Sequence, residues 1–439
     1  MKRFLFGFLS LVSLAGVSAL FADPAPADVA TPWVLRQQAL YLTGLWSFSL
    51  MSLAMVLATR PTWLEPLLGG MDQIYRTHKW TGILAVGFAA AHWLVEMSDD
   101  VIKTMIGRDG RFPKEHGSGF LEMMRDVGED LGEWAIYALL AMLVITLLRR
   151  FPYHLWRYVH HAMPVIYLML VIHSAFLAPV GWWTGPTGPL LALLIAAGSA
   201  AALLSLAGRI GRRRKVGGTV ESLRDAGAGV TEVVCRLESG WKGHKAGQFA
   251  FATFQSLEGA HPFTIASADR GDRRITFQIK ALGDYTRRLG ERLHQGQPVT
   301  IEGPYGRFDF RRGSAHARQI WIAGGIGITP FLAWLESLQG ADNVPDADLY
   351  YSTRARADDP FATRLEALCK ALPTVRLHII STDRDGALNA ELLHQRHGDA
   401  KRTDIWFCGP RPFGDALRTG LARLGMRRMR FHQEAFQMR

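Results

Sequence analysis

Cysteine is scarce in this chain, and its absence narrows the field early. Cys235, Cys369 and Cys408 are the three present among 439 residues, an odd number confined to the second half. No disulfide framework and no zinc-type spacing can be read from them, which suits a reducing compartment for that half. Cys-x-x-Cys-His is missing as well, so any haem would be held by ligation alone. No Ca²⁺-binding loop or docking module is attached. A formal net charge of +11 raises the possibility of nucleic acid, but membrane-flanking arginines account for it more simply, and no nucleic-acid partner is expected.

What the chain does have is hydrophobicity in blocks. Apolar residues make up 49% of it, and the long runs all precede residue 208. Met1 to Ala22 has a basic start and an apolar core; Val17-Ser18-Ala19 would suit signal cleavage, and the whole stretch would equally suit a membrane helix. We expect the uncleaved helix. Further spans are expected at Gln38–Ala58, Tyr75–Val95, Leu131–Leu148, His154–Leu177 and Pro189–Gly208, making six.

Two of these spans carry histidine, which is costly in hydrocarbon and seldom idle there. His78 and His92 are fourteen residues apart, about 21 Å along an ideal helix and only about 40° around it. The other span has His160, His161 and His173. From His160 to His173 an ideal helix gives about 20 Å of rise but roughly 140° of rotation, and from His161 about 120°. Pro164 removes a backbone bond one turn later, so that helix is not ideal and spacing leaves His160 and His161 both open. Neutral imidazole is the commonest metal ligand and an axial ligand of haem iron. Two matched pairs can therefore hold two stacked metal centres; a proton relay or a metal transporter is the rival use.

Basic residues set the expected orientation. Lys2 and Arg3, then Arg60, Arg76 and Lys79, then Arg149, Arg150 and Arg157, then Arg209 and Arg212 to Lys215 fall on one side, which should be cytoplasmic. The mixed-charge loop from Ser98 to Asp130 should lie outside. His78 and His160 then sit near the cytoplasmic face and His92 and His173 near the outer one.

Beyond the arginine run, short β-patterned stretches with turns follow one another: GTVESL, TEVVCRLE, GQFAFATF, HPFTIAS, RITFQIKAL and PVTIEG. Their even spacing predicts a small antiparallel barrel. From Arg318 strand and helix alternate, which predicts a parallel sheet covered by helices. Glycine turns close several strands: Gly303-Pro304-Tyr305-Gly306; Gly324, Gly325 and Gly327 in AGGIGITP; and Cys408-Gly409-Pro410. Such turns let a pyrophosphate approach backbone amides. Arg354, with Ser352 and Arg356, follows the second sheet strand, where arginine would suit a 2′-phosphate, so NADPH is expected over NADH.

These motifs have a family resemblance. His261-Pro262-Phe263-Thr264-Ile265-Ala266-Ser267 resembles the HPFTxxS flavin motif of the NADPH oxidase and ferric reductase superfamily, and the membrane histidines resemble its bis-histidine haem ligands. GPYG, GGIGITP, the CGP turn and a terminal Glu-x-Phe look like its ferredoxin-reductase-type half. The resemblance runs through nearly the whole chain in the family's order. It implies a six-helix transmembrane haem-binding bundle (1–212), an antiparallel β-barrel for FAD (213–314) and an α/β parallel-sheet domain for NAD(P)H (315–439).

Carried over residue by residue, it implies His78, His92, His160 and His173 as ligands of two haem b groups, His160 over His161 because the family uses the first histidine of the pair. Thr264 and Ser267 would bond the flavin edge, with His261, Pro262, Phe263, Lys280, Gly303 and Gly306 around it. Gly283, Tyr285 and Thr286 in LGDYT would hold the FAD pyrophosphate, although Thr286 also reads as an ordinary helix cap. Gly324, Gly325, Gly327, Thr329 and Pro330, with Ser352, Arg354, Cys408, Gly409 and Pro410, would receive the nicotinamide dinucleotide. Phe436 would cover the flavin, and Cys408 would approach nicotinamide or be simple packing. Where the eukaryotic oxidases place a basic residue one turn past the outer ligand, this chain has Glu96, which puts superoxide production in doubt.

The implied activity is electron transfer from NAD(P)H through FAD and two haems to an outer acceptor, oxygen or a ferric or other metal chelate. It would sit in a bacterial inner membrane with the dehydrogenase part cytoplasmic. An electron conduit to quinone or a partner redox protein is the alternative.

Overall fold

The computed structural model describes every residue except 1, 23, 108–109, 113–118, 149–152, 256–257, 315–316, 399–401, 427–428 and 435–439. Its contacts divide the chain into two compact units, one essentially the first 210 residues and one the remainder.

The first unit is helical. In order it contains α1 (Lys2–Ala22), α2 (Thr31–Ala58), the single turn α3 (Glu65–Leu68), α4 (Met71–Ile106), α5 (Phe120–Leu147), α6 (Tyr153–His160), α7 (Met163–Leu177), the short α8 (Val180–Thr184) and α9 (Thr187–Leu206). Six stretches among the described residues are long and apolar enough to cross a membrane, with α6 and α7 forming one of them from Leu155 to Leu177. Leu50, Met55, Ala85, Leu139, Ile166 and Leu191 pack the interior of the bundle. Tyr167, fully buried, donates its hydroxyl to the Leu194 carbonyl at 3.1 Å and meets the Ser52 hydroxyl at 3.0 Å. A polar group at that depth has no water to turn to, so the pairing is required.

The expected loop from Ser98 to Asp130 is largely helix instead. α4 runs on to Ile106 and α5 starts at Phe120, eleven residues before the expected Leu131. The segment from Phe88 to Ile106 has neither glycine nor proline, Lys103 pairs with Asp99 one turn back and with Asp100, and Gly107, at φ +79°, stops the helix. Charged pairs at such spacing support a helix beyond the apolar run. The hydropathy pattern marked the apolar run, and the helix simply outlasts it.

The second unit holds two sheets. β1 (Lys215–Gly227), β2 (Val230–Leu237), β3 (Phe249–Thr253), β4 (His261–Thr264), β5 (Arg274–Lys280) and β6 (Pro298–Tyr305) form an antiparallel sheet in the order β4-β3-β6-β1-β2-β5. A bridge between Ile265 and Phe277 joins the two edges, so the sheet curls into the expected barrel around Val233, Cys235, Ala250, Ile275 and Ile301. Two single turns, α10 (Asp284–Arg287) and α11 (Leu289–Arg292), lie between β5 and β6.

β7 (Arg318–Gly324), β8 (Ala347–Thr353), β9 (Val375–Ser381), β10 (Thr403–Cys408) and β11 (Met429–Glu434) form a wholly parallel sheet in the order β11-β10-β7-β8-β9. On β7, Trp321 and Ala323 face the side packed by α12 (Thr329–Leu338) and α13 (Ala362–Lys370), while Ile320 and Ile322 face α14 (Ala390–His397) and α15 (Arg411–Arg423). Alternate residues thus bury on opposite faces, the mark of a sheet covered on both sides. The chain order reverses between β7 and β10, and the crevice at the carboxyl ends of those strands is where such sheets take ligands.

Candidate functional site

The histidines of the bundle meet in two pairs. The ring centres of His78 and His160 are 6.2 Å apart with the rings at 86°, and those of His92 and His173 are 6.1 Å apart at 87°. His161 is exposed and joins neither pair. The angular mismatch expected from a thirteen-residue spacing disappears because the span is not one helix. It breaks at His161-Ala162, where α6 ends and α7 begins with Pro164 in its first turn. Each segment then aims its own histidine at α4.

These separations can be tested against a haem iron held on both faces. Metal–imidazole bonds of about 2 Å put two opposed nitrogens about 4 Å apart and the ring centres about 6 Å apart. The second nitrogen of three rings is also accounted for. Nδ1 of His78 donates to the Ala54 carbonyl at 3.0 Å, Nδ1 of His92 to that of Leu40 at 3.0 Å, and Nδ1 of His173 to that of Gly128 at 2.9 Å. A carbonyl can only accept, so each Nδ1 carries the proton and each Nε2 keeps its lone pair. His160 instead stacks on Trp156 at 4.8 Å. The residues present therefore fit two bis-imidazole centres. α2 supplies the acceptors for both α4 histidines, with Ala54 and Leu40 at the same fourteen-residue interval as the rings they hold.

Beyond the second pair lies a set of charges. Arg36 of α2 donates to the Glu96 carboxylate and to its carbonyl, each at 2.9 Å. Asp99 is paired by Lys103 and, at 2.9 Å, by Arg111. Glu96 therefore does not stand alone at the position where its family resemblance calls for a base; a base comes to it from another helix.

In the barrel, the flavin-type motif is β4 and the residues after it. Thr264 is buried, and the Ser267 hydroxyl accepts the Thr276 amide at 3.1 Å, tying the motif to β5, whose last residue is Lys280. The LGDYT turn folds onto the same strand: Tyr285 lies flat on His261, ring centres 4.0 Å apart. Burial pushes the Tyr285 hydroxyl up to about 12. The Thr286 hydroxyl accepts the Leu282 and Gly283 amides at 3.0 Å, so it caps its own turn. Gly303 and Gly306 close β6 at positive φ. Arg214, read from sequence only as a topology marker, donates to the Pro304 carbonyl at 2.8 Å and covers the Tyr305 ring at 5.3 Å.

Three strand ends of the parallel sheet converge. A Cβ on Gly327 would overlap the Cys408 carbonyl, and one on Gly324 would stand 3.0 Å from Pro410. Only glycine allows β7 and β10 to deliver their turns, including Gly409, to one place. Thr329 and Pro330 open α12 there, the Thr329 hydroxyl donating to the Ile326 carbonyl at 3.1 Å. Cys408 is fully buried, and burial drives its thiol well above the usual range, so it is a neutral thiol and not a nucleophile. Beside it at the end of β11 is Glu434, whose carboxyl burial raises well above the usual range and whose Oε2 has no hydrogen-bond partner among the described residues. Gly306 of the barrel also borders Glu434. The turns of both sheets thus meet around one buried acid, the Glu of the terminal Glu-x-Phe motif. Phe436 lies outside the described residues.

Ser352 and Arg354 flank the end of β8, Arg354 exposed and Ser352 partly buried, whereas Arg356 is engaged by Glu366.

Family comparisons follow the same order along the chain. Residues 43–171 match the ferric reductase like transmembrane component, 222–309 an FAD-binding domain and 321–419 the oxidoreductase NAD-binding domain. The chain is a ferric reductase-like transmembrane domain fused to FAD- and NAD-binding oxidoreductase domains. This is the architecture of the NADPH oxidase and ferric reductase-like superfamily. Among curated proteins, the ferric reductase-like chain is 28% identical over 206 residues to the stachydrine N-demethylase reductase subunit of Rhizobium meliloti, covering 44% of this chain and 58% of the relative. It is 25% identical over 199 residues to the anthranilate 1,2-dioxygenase electron transfer component of Acinetobacter baylyi, covering 43% and 57%. The chain spans about half the length of the curated relatives it matches. A flavohemoglobin structure from Malassezia yamatoensis aligns with 93% of this chain and all of its own at 17% identity and a TM-score of 0.49.

Proposed function

We propose that this membrane oxidoreductase carries electrons from NAD(P)H, through FAD and two haem b groups, to an acceptor on the outer side of a bacterial inner membrane, either oxygen or a ferric or other metal chelate. The observation that carries the proposal is the pair of facing imidazoles, His78 with His160 and His92 with His173, near 6 Å in both cases. When bound, flavin takes two electrons as hydride and releases them singly to haem iron, which accepts one at a time.

The chain's own groups do the rest. Gly324, Gly325 and Gly327 open the crevice for a pyrophosphate, and Cys408 and Glu434 wall the place where the nicotinamide ring would meet the flavin. Burial raises the carboxyl of Glu434 and the thiol of Cys408 well above their ordinary ranges, so both favour their uncharged forms there. Thr264 and the Ser267 hydroxyl face the flavin edge, and the backbone amides after Gly283 in the LGDYT turn receive the FAD pyrophosphate, since the Thr286 hydroxyl is taken by the Leu282 and Gly283 amides. Ala54, Leu40 and Gly128 hold three imidazoles in the tautomer that ligates. Arg36 neutralises Glu96 near the second pair, which leaves the rim open to anionic metal chelates as well as to oxygen.

Purified protein in detergent should show a Soret band and, with NADPH under argon, reduce its haem; adding ferric chelate should then restore steady NADPH oxidation. A colourless protein sinks the reading. The reductase and electron-transfer relatives favour a second reading, in which a partner redox protein is the acceptor. Turnover of oxygen or ferric chelate with no partner added excludes it.

A further inference from the structure

We infer that Gly44 and Gly132 are positioning residues for the His92–His173 pair: each leaves out the Cβ that would keep an imidazole from lying against its helix and donating to the carbonyl four residues earlier. The inference rests on the haem-ligand reading of that pair.

The two cases are built alike. His92 donates to the Leu40 carbonyl, and Gly44 stands four residues on. His173 donates to the Gly128 carbonyl, and Gly132 stands four residues on. In an α-helix the carbonyl of one residue points toward the amide four residues later, so a ring reaching the carbonyl from the side passes over the Cβ of that later residue. A Cβ on Gly44 would lie 3.1 Å from both Nδ1 and Cε1 of His92. One on Gly132 would lie 2.5 Å from Cε1 of His173 and closer still to Nδ1. The first pair repeats the rule in milder form: His78 donates to Ala54, and the residue four on is Ala58, the smallest side chain that has a Cβ.

Helix interiors disfavour glycine relative to alanine, so glycine at these places calls for a packing reason. Gly87 of α4 supplies the contrast, since a Cβ there would meet nothing within 4 Å. Displacing the ring breaks a hydrogen bond that fixes ligand orientation and basicity, so the metal's spectrum and potential should register it and not merely the protein's stability.

The test uses full-length protein in detergent carrying Gly132→Ala, Gly44→Ala or Gly87→Ala, read by haem per chain, low-spin EPR signals and redox titration. His78→Ala identifies the signal of the first pair. Gly87→Ala should keep two haems and both signals. Gly132→Ala should fall from two haems to one, keeping the first-pair signal as proof of folding. Gly44→Ala should keep two haems but shift the g-values and midpoint of the second. Two unchanged signals in Gly132→Ala would overturn the inference, and so would equal loss of both, because that is general damage. Absence of haem from the unsubstituted chain instead sinks the proposed function and says nothing about the glycines.

Discussion

Under the proposed function, the bundle and the second unit, its dehydrogenase part, would offer their binding groups in opposite ways. The bundle uses side chains, four imidazoles from two spans, with backbone carbonyls acting only behind them. The dehydrogenase unit uses main chain, with glycine turns at strand ends exposing amides and side chains mostly walling the crevice. A side-chain site fails when one residue type is removed; a main-chain site fails when anything is added.

The sharpest break of that comparison is in the bundle. His78→Ala combined with His92→Ala should remove the Soret band entirely, while NAD(P)H oxidation by a soluble one-electron acceptor persists; the same change at exposed His161 should leave the spectrum untouched. A Soret band surviving the double substitution would refute the assignment. Next comes addition of a methyl to the main-chain site. Gly327→Ala collides with Cys408, and kcat/KM for NAD(P)H should fall by about 100-fold, roughly 2.7 kcal/mol, with haem content unchanged. Unaltered kinetics would mean that the crevice is not where nicotinamide binds.

A smaller effect is expected at Arg354. Its replacement by Gln should raise the NADPH KM about tenfold, as loss of one charged hydrogen bond would, and leave the NADH KM nearly as it was. Equal changes for both nucleotides would remove the 2′-phosphate from that strand end.

The smallest effect concerns stability, at the amino end of β8 in the same sheet, away from the crevice. Burial disfavours the Asp348 carboxylate, but His378, Arg376 and Arg318 outweigh it and hold its carboxyl well below the ordinary range. A depressed folded-state value means stabilisation that is complete above the unfolded value of about 3.9 and lost as pH falls toward the folded one. Asp348→Asn should therefore cost on the order of 1–3 kcal/mol at pH 7 and progressively less below pH 4, followed by thermal release of flavin. A cost independent of pH would assign it to packing.

Much of this was legible because periodicity and turn chemistry are local. Each expected strand of the barrel and of the parallel sheet formed, since their glycine and proline punctuation acts within a few residues of itself. Helix length was not legible at α4, where the Asp99–Lys103 pairing and the absence of Gly or Pro carried the helix beyond its apolar run. The choice between His160 and His161 was equally hidden from spacing: it turned on the break at Ala162, which gives α7 an axis of its own. Glu434 was visible only as the first residue of the terminal Glu-x-Phe; that it is buried beside Cys408 depends on the pairing of β10 with β11.

By itself the sequence determined the division into an apolar helical half and a strand-rich half, the presence of histidine where lipid should be, and the glycine turns that end the strands. These depend on residue type and on neighbours along the chain. Tertiary structure alone decided which imidazoles face each other, which carbonyls hold them and which acid the strand ends enclose. Those outcomes depend on distances between segments far apart in sequence, and such distances exist only once the helices and sheets have packed.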